Sequence, residues 1–345
     1  MSDPLNTWVE QTGSGSRAWW RPAISPSGLL ILAPALTGYL YTSTDGGTTW
    51  VENTAAGSRS WGCVAMSADG TKMVAGVTGG YLYVSTDSGA TWTEKTAAGS
   101  RNWRHISMSA DGTKMVAGAD YAHLHTSSDG GATWTARTSS GEREWRASAV
   151  SADGSRMVAV SGNAGGGPMA LSTDSGATWT VVSSLGDRYW YAGVGMSADG
   201  MKLVAGDYYN PPITSTDGGA TWTSHTSLGV KNWRSAAISP DGSRMILGVV
   251  GEYLYVSTDG GSTWVAQTTA GTRNWYSAAA SNKRFVALNY TGYAYTYLWD
   301  DSTDPPPSNV KVFNGTAWVA ATVKRWDGSA WVAATVKRWD GAVWA

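Results

Sequence analysis

The octapeptide Ser85-Thr86-Asp87-Ser88-Gly89-Ala90-Thr91-Trp92 returns in near-copy through most of the 345-residue chain. The copies end at Trp50, Trp92, Trp134, Trp179, Trp222 and Trp264, and a degenerate one, Asn6-Thr7-Trp8, stands at the start. Successive spacings are 42, 42, 42, 45, 43 and 42 residues. A unit of this size cannot bury its apolar face alone, so consecutive units must stack on one another. Length alone permits two ordinary domains, but the period replaces them with one repeat array and a short appendage.

Within a unit, residues 49–54 alternate as a half-buried strand and 55–60 make a turn. Trp61 opens an apolar run to Met66, Ser67-Ala68-Asp69-Gly70 ends it, and residues 72–76 and 81–84 follow as two more strands. Four strands per unit make a propeller blade, and the chain is expected to be an all-β, seven-bladed β-propeller. The 43 Gly, 21 Trp and 16 Tyr against 2 Phe suit a fold of tight turns packed with amphipathic aromatics. The last unit has strands near 275–278, 284–288 and 293–297 but no octapeptide and no fourth strand of its own. The orphan strand Trp8-Val9-Glu10-Gln11 is expected to complete it, closing the ring so that no edge stays open.

In the octapeptide, Gly supports a tight turn while Asp and Ser or Thr pair with turn backbone. The motif reads as a fold staple, and the D-x-D-x-D-G alternation of a calcium loop is absent. The pattern S-x-D-x-G-x-T-W resembles the Asp-box, or BNR repeat, of sialidase-like propellers. That resemblance implies that the motif lies on the face away from a ligand.

A second motif keeps the same period, a basic residue two before a Trp: Arg17 and Trp19, Arg59 and Trp61, Arg101 and Trp103, Arg143 and Trp145, Arg188 and Trp190, Lys231 and Trp233, Arg273 and Trp275. In propeller topology it falls on the upper face, opposite the octapeptides. It either wedges neighbouring blades together or forms shallow sugar sites, since pyranose faces stack on aromatics and hydroxyls suit planar donors. Recurrence in every unit favours the first. The neighbouring positions drift instead: after the Trp come Trp20, Gly62, Arg104, Arg146, Tyr191, Arg234 and Tyr276. The loops between second and third strands drift too, and residues 163–168 and 207–212 are the longest. The candidate ligand surface is therefore the upper face around blades four to six: Arg143, Trp145, Arg188, Tyr189, Trp190, Tyr191, Tyr208, Tyr209, Trp233 and Arg234.

Several classes are excluded or disfavoured. Lysine plus arginine (25) balances aspartate plus glutamate (26), which argues against nucleic acid as partner. Cys63 is the only cysteine, so no intrachain disulfide forms. Met1-Ser2-Asp3-Pro4 has no signal-peptide character and no run is long enough to insert in a membrane. Tyr208, Glu142, Glu144, Asp187 and Asp207 supply pieces of a sialidase-type site, yet no spacing singles out an acid and a nucleophile. His105, His123, His125 and His225 are scattered; His123 and His125 could share a strand face, but without other ligands they read as surface histidines. The expectation is a protein without catalytic residues, metal or cofactor.

After Trp299 a Pro-rich polar spacer, residues 300–309, leads to a 13-residue repeat over 310–345, with strands about Asn314-Gly315 and Asp327-Gly328. So short a segment needs a partner or copies of itself. The run Trp326-Asp327-Gly328-Ser329-Ala330-Trp331-Val332 looks like the C-terminal repeats of phage minor tail proteins, especially of phages infecting actinobacteria. Residues 1–299 are similar to bacterial Asp-box proteins and to plant photosystem assembly factors. Together these resemblances imply a virion component made in the host cytoplasm, with host surface glycan or polysaccharide and other tail proteins as partners. Homo-oligomerisation through the tail repeats is expected as well. A bacterial protein-interaction propeller is the alternative, and a glycoside hydrolase stands third.

Overall fold

Each unit of the repeat folds into a four-stranded antiparallel meander, and among the described residues seven such blades follow one another, two neighbouring pairs of them joined into eight-stranded sheets by a short edge pairing. The computed structural model describes residues 7–162, 165–191 and 193–299 throughout, and beyond them the backbone of four short strands. The N-terminal Met1-Ser2-Asp3-Pro4, Asn163 and Ala164, the spacer 300–309 and the last tail repeat (336–344) lie outside the described residues. Blade one comprises Ala23–Ile24, Ile31–Pro34, Leu40–Ser43 and Val51–Asn53; blade two comprises Trp61–Met66, Met73–Gly80, Leu82–Ser85 and Thr93–Lys95. The pattern repeats to blade six, which ends at Val265–Gln267.

Blade seven holds Arg273–Ala280, Arg284–Asn289 and Ala294–Leu298, and its fourth strand is Trp8–Gln11 from the other end of the chain. The two pair antiparallel, Trp8 opposite Tyr297 and Gln11 opposite Ala294. Side chains copy those of the uninterrupted blades. The Tyr41 hydroxyl donates to Glu52 at 2.7 Å, Tyr83 donates to Glu94, and in blade seven Tyr295 donates to Glu10.

The octapeptide closes the turn between third and fourth strands. Ser85 Oγ donates to Asp87 Oδ1 (2.8 Å) and accepts from Gly89 N (2.8 Å). The Asp87 carboxylate also accepts from Thr91 N (2.9 Å) and Thr91 Oγ1 (2.6 Å), and Trp92 Nε1 donates to the Gly89 carbonyl (3.1 Å). Gly89 sits at φ 87°, which an L side chain rarely adopts. Thr91's donors and Ser85's hydroxyl hold Asp87 down at about 2, and the same bonds recur around Asp129, Asp174, Asp217 and Asp259. On this same face, turns between first and second strands are linked blade to blade: Ala68 N donates to Ala110 O, Ala110 N to Ala152 O, and Ala152 N to Ala198 O, each at 2.8 Å.

The seven tryptophans of the second motif are fully buried. Each packs on the preceding blade: Trp61 joins Leu32 and Leu40 of blade one, and Trp103 joins Val74 and Leu82 of blade two. The basic residue braces the chain just before it. Each fourth strand ends in one turn of 3-10 helix, an element the sequence pattern shows only as a turn, closed by a glycine such as Gly57 at φ 74°. Arg59, Arg101, Arg188 and Arg273 donate Nε to a carbonyl of that turn at 3.2–3.3 Å. The Arg17, Arg59 and Arg273 guanidiniums lie 4.3–4.7 Å from the ring centroids of Tyr41, Tyr83 and Tyr295. The motif therefore wedges and braces neighbouring blades.

His125 corrects the surface reading, and His105 is buried with it. His105 and His125 are buried, because they stand at packed positions of the repeat. His125 occupies the place of Tyr41 and Tyr83 and meets Trp103 edge-on at 5.3 Å; burial pulls it down to about 4. Among the described residues no group of three or more His, Cys, Asp or Glu could hold a metal ion, and no described helix is long and apolar enough to cross a membrane.

Residues Met1–Trp299 form one compact unit and Asp300–Ala345 a second. In the second, Lys311–Phe313 pairs with Trp318–Ala320 and Val323–Trp326 with Trp331–Ala334. Phe313 stands opposite Trp318 and Trp326 opposite Trp331.

Candidate ligand site at the channel mouth

The links between blades and the hairpins joining second to third strands share the face opposite the octapeptides, as bridges between Gly38 and Arg59, Ala122 and Arg143, and Gly167 and Arg188 show. Here the first strands start down the central channel. Because the tryptophan of each link turns outward between blades, the next residue is delivered to the channel mouth. Trp20, Arg104, Arg146, Tyr191, Arg234 and Tyr276, with Arg21, line a hollow of about 170 Å³. Blade two has Gly62 at the equivalent position, where a Cβ would come within 2.5 Å of the Trp103 carbonyl oxygen.

The hollow has an aromatic and a cationic part. Trp20, Tyr276 and Tyr290 cluster with centroids 4.8–6.2 Å apart. Tyr208 and Tyr209 meet edge-on at 4.4 Å, Tyr189 and Tyr209 at 4.8 Å, and Tyr191 and Tyr208 at 6.1 Å. Arg234 ties the clusters together, lying 4.7 Å from the Tyr191 ring, 5.1 Å from Tyr208 and 5.6 Å from Tyr276. Its Nε donates to Asn232 Oδ1 at 2.7 Å, which fixes the plane of the fork.

Two carboxylates face the four arginines. Asp120 accepts from Arg104 Nε and Nη2 at 2.8 and 2.6 Å and lies 3.5 Å from Arg146. Glu144 accepts from Arg146. Hydrogen bonding to Asp120 raises Arg104 above the usual guanidinium range. Arg21 and Arg234 have no carboxylate of their own among the described residues, so the hollow is net cationic.

Of the residues expected from sequence, the structure gathers Tyr189, Tyr191, Tyr208, Tyr209 and Arg234 beside the hollow. Trp145, Trp190 and Trp233 are fully buried, and no ligand can stack on their faces. Arg143 bridges to Ala122, and Arg188 lies 5.7 Å from the Trp190 ring and 4.0 Å from Asp207. Asp207 is itself buried, where it accepts from Tyr209 N and Asn210 Nδ2, both at 2.9 Å, and so shapes the loop that carries the tyrosines. Trp20, Arg104 and Tyr276 belong to the drifting set but fell outside the candidate surface around blades four to six, and Arg146, within blade four, was not among its residues.

Two residues gave less signal. Arg21 stands where other units have Cys63, His105, Ala147, Ser235 and Ser277. Tyr121, 76% exposed, takes φ 52° at a turn position held by Gly79 and Gly251 in blades two and six. A left-handed tyrosine in water is retained against its conformational cost, and it stands beside Glu144 at the rim.

No family model and no curated protein sequence matches the chain. Solved structures of β-propellers do. A YCF48 protein bound to a D1 peptide superposes with a TM-score of 0.66 at 15% identity, over 87% of this chain and 99% of that one. YCF48 from Cyanidioschyzon merolae gives 0.64 at 14% identity, over 85% and 98%. A GH74 xyloglucanase from Xanthomonas campestris gives 0.66 at 15% identity, over 87% of this chain and 55% of that one. At such identities the likeness carries the fold, and the chain is a β-propeller.

Proposed function

We propose that this propeller is a non-catalytic binding module that holds a surface glycan at the channel mouth, as the receptor-binding component of a phage tail. One observation carries the reading: the residues that do not repeat converge on a single hollow, and they are aromatic faces and planar cations. Such groups suit pyranose rings and their hydroxyl or acidic substituents. Asp120 and Glu144, the carboxylates beside the hollow, are both engaged by arginines, which favours binding over hydrolysis. The tail role rests on the W-D-G-S-A-W-V repeats and on their resemblance to those of phage minor tail proteins. In that role the C-terminal hairpins attach the module to other tail proteins or to copies of itself. A protein-interaction propeller is the second reading, favoured by the YCF48 neighbour bound to a D1 peptide.

The test is a glycan array probed with the full-length protein and with Tyr209→Ala and Tyr191→Ala. Tyr209 is 56% exposed, so truncating it removes a stacking face at little cost to the fold. Retention on bacterial surface polysaccharide, weakened tenfold or more by each variant, supports the proposal. Absence of binding to every polysaccharide transfers the mouth to a protein partner, and release of a free sugar makes it an active site.

A further inference from the structure

We infer that the channel just beneath the mouth is an oxyanion site built on Arg21, taking one compact group of the carboxylate, phosphate or sulfate class. Arg21 lines both the hollow at the mouth and a cavity of about 140 Å³ below it, so its side chain belongs to the neck between the two. No described residue gives it a hydrogen bond or an ion pair. Its charged neighbours are cations: Arg104 and Arg146 act on it through space, and Arg234 shares the cavity wall. Burial first, and then the like charges of Arg146 and Arg104, pull the guanidinium down to about 10.

A half-buried cation without a counter-charge is a costly arrangement for a fold to keep. Here it is confined to one blade of seven, since the equivalent places hold small or neutral side chains that would have served the packing as well. A guanidinium offers five donors in a planar fork, matched to two oxygens of a carboxylate or phosphate. The cavity below adds the hydroxyl-bearing residues Ser107, Ser148, Ser235 and Ser277 to its wall. Farther down, the channel widens to about 270 Å³ and its lining turns aliphatic, with Ile24, Met66, Met108 and Ile238. The site stands whether the molecule at the mouth is a glycan or a peptide, because it rests on the charge in the neck and not on the aromatic rim.

The oxyanion has two sources, a free ion or the acidic substituent of a larger ligand. Thermal unfolding of the full-length chain at pH 7.5 and fixed ionic strength, with acetate, inorganic phosphate or glucuronate replacing chloride, separates them. In the wild type, Tm should rise saturably with at least one of the three, by about 4 °C at a concentration a hundredfold above Kd. In Arg21→Met and Arg21→Gln the curve should be flat, and both variants should match or exceed the wild-type Tm in chloride, since the uncompensated charge is gone. Saturation by acetate or phosphate assigns a free ion, and saturation by glucuronate alone assigns a ligand substituent. A parallel, unsaturating rise in wild type and variants is a general salt effect and overturns the proposal. Should both variants fail to fold, calorimetric titration of the wild type with the same three anions decides, and absence of saturable heat at millimolar concentrations overturns it equally.

Discussion

Replacing Trp8 by Ala tests whether the N-terminal strand is the fourth strand of blade seven. Trp8 is 7% exposed; it stacks on Phe285 (6.4 Å between centroids, 8° between planes) and tilts against Tyr297 at 5.4 Å. Emptying a site of this kind costs about 3–5 kcal/mol. With an unfolding entropy of about 2.1 cal/mol/K per residue over the roughly 290 residues of the propeller, Tm should fall by ~5–8 °C. A frayed terminus would lose almost nothing. The hydroxyl–carboxylate pair gives a second, independent reading. A double-mutant cycle on Tyr295→Phe and Glu10→Gln should return a coupling of about 1 kcal/mol, discounted because Glu10 is partly exposed. The equivalent cycle on Tyr83 and Glu94, which lie within one continuous blade, should return the same. If Trp8→Ala leaves Tm within a degree, or the blade-seven cycle gives zero while the blade-two cycle does not, the ring is not closed by this strand.

Acid should unfold the protein in two stages. His125, drawn down to about 4 by burial, and His105, drawn well below 6.5 by burial and then by Arg21, are neutral in the fold while the unfolded chain protonates near 6.5. Their stabilising contribution is complete above that value and is lost as pH falls towards the folded one. The turn aspartates follow: Asp69, Asp87, Asp111 and Asp217 sit at about 2 against an unfolded value near 4, so their contribution is lost between about pH 4 and 2. His125→Tyr, which installs the residue found at 41, 83, 255 and 295, should reduce the loss in urea-unfolding free energy between pH 7.5 and 5; an unchanged loss refutes the assignment. Tyr121→Gly should stabilise the fold by about 1 kcal/mol through relief of its left-handed backbone, seen as a raised urea midpoint, while weakening ligand retention. A lowered midpoint would mean that the tyrosine is held by packing.

The number of blades, their strand order and the closing strand were all legible in the chain, because a 42-residue period fixes how many units there are and a missing octapeptide shows which unit is short. The octapeptide was legible chemically as well: its serine, aspartate and threonine are the minimum that satisfies the turn's backbone donors, and each makes the bond its type suggests. The basic-x-Trp motif was ambiguous for a physical reason. An indole that wedges two sheets and an indole that stacks a sugar leave the same letter in the sequence. What separates them is which way the strand's first residue turns, and that depends on the bulge following Trp61, Trp103 and Trp145, where two residues oppose one on the next strand. The histidines went astray for a related reason, since His125 fills a tyrosine's place and its polarity says nothing of its burial.

Sevenfold repetition also limits where function can sit. A ligand without sevenfold symmetry is recognised only by side chains that differ between blades, so a residue present in every unit contributes mainly to the frame. At the mouth the differences are large and sorted: guanidiniums come from blades one, three, four and six, aromatic rings from blades one, five and seven, and blade two supplies a glycine. The wall is thus low at blade two. Gly62 cannot be enlarged there without striking the Trp103 carbonyl, so the opening is set by backbone approach and would be present even if the ligand were not. Under the proposed function, a chain-like ligand would leave the hollow on that side with its bound unit against the tyrosines of blade five. Arg21 belongs to this asymmetry more than any other residue. It departs from its repeat in charge and in size together, and no described side chain pairs with it.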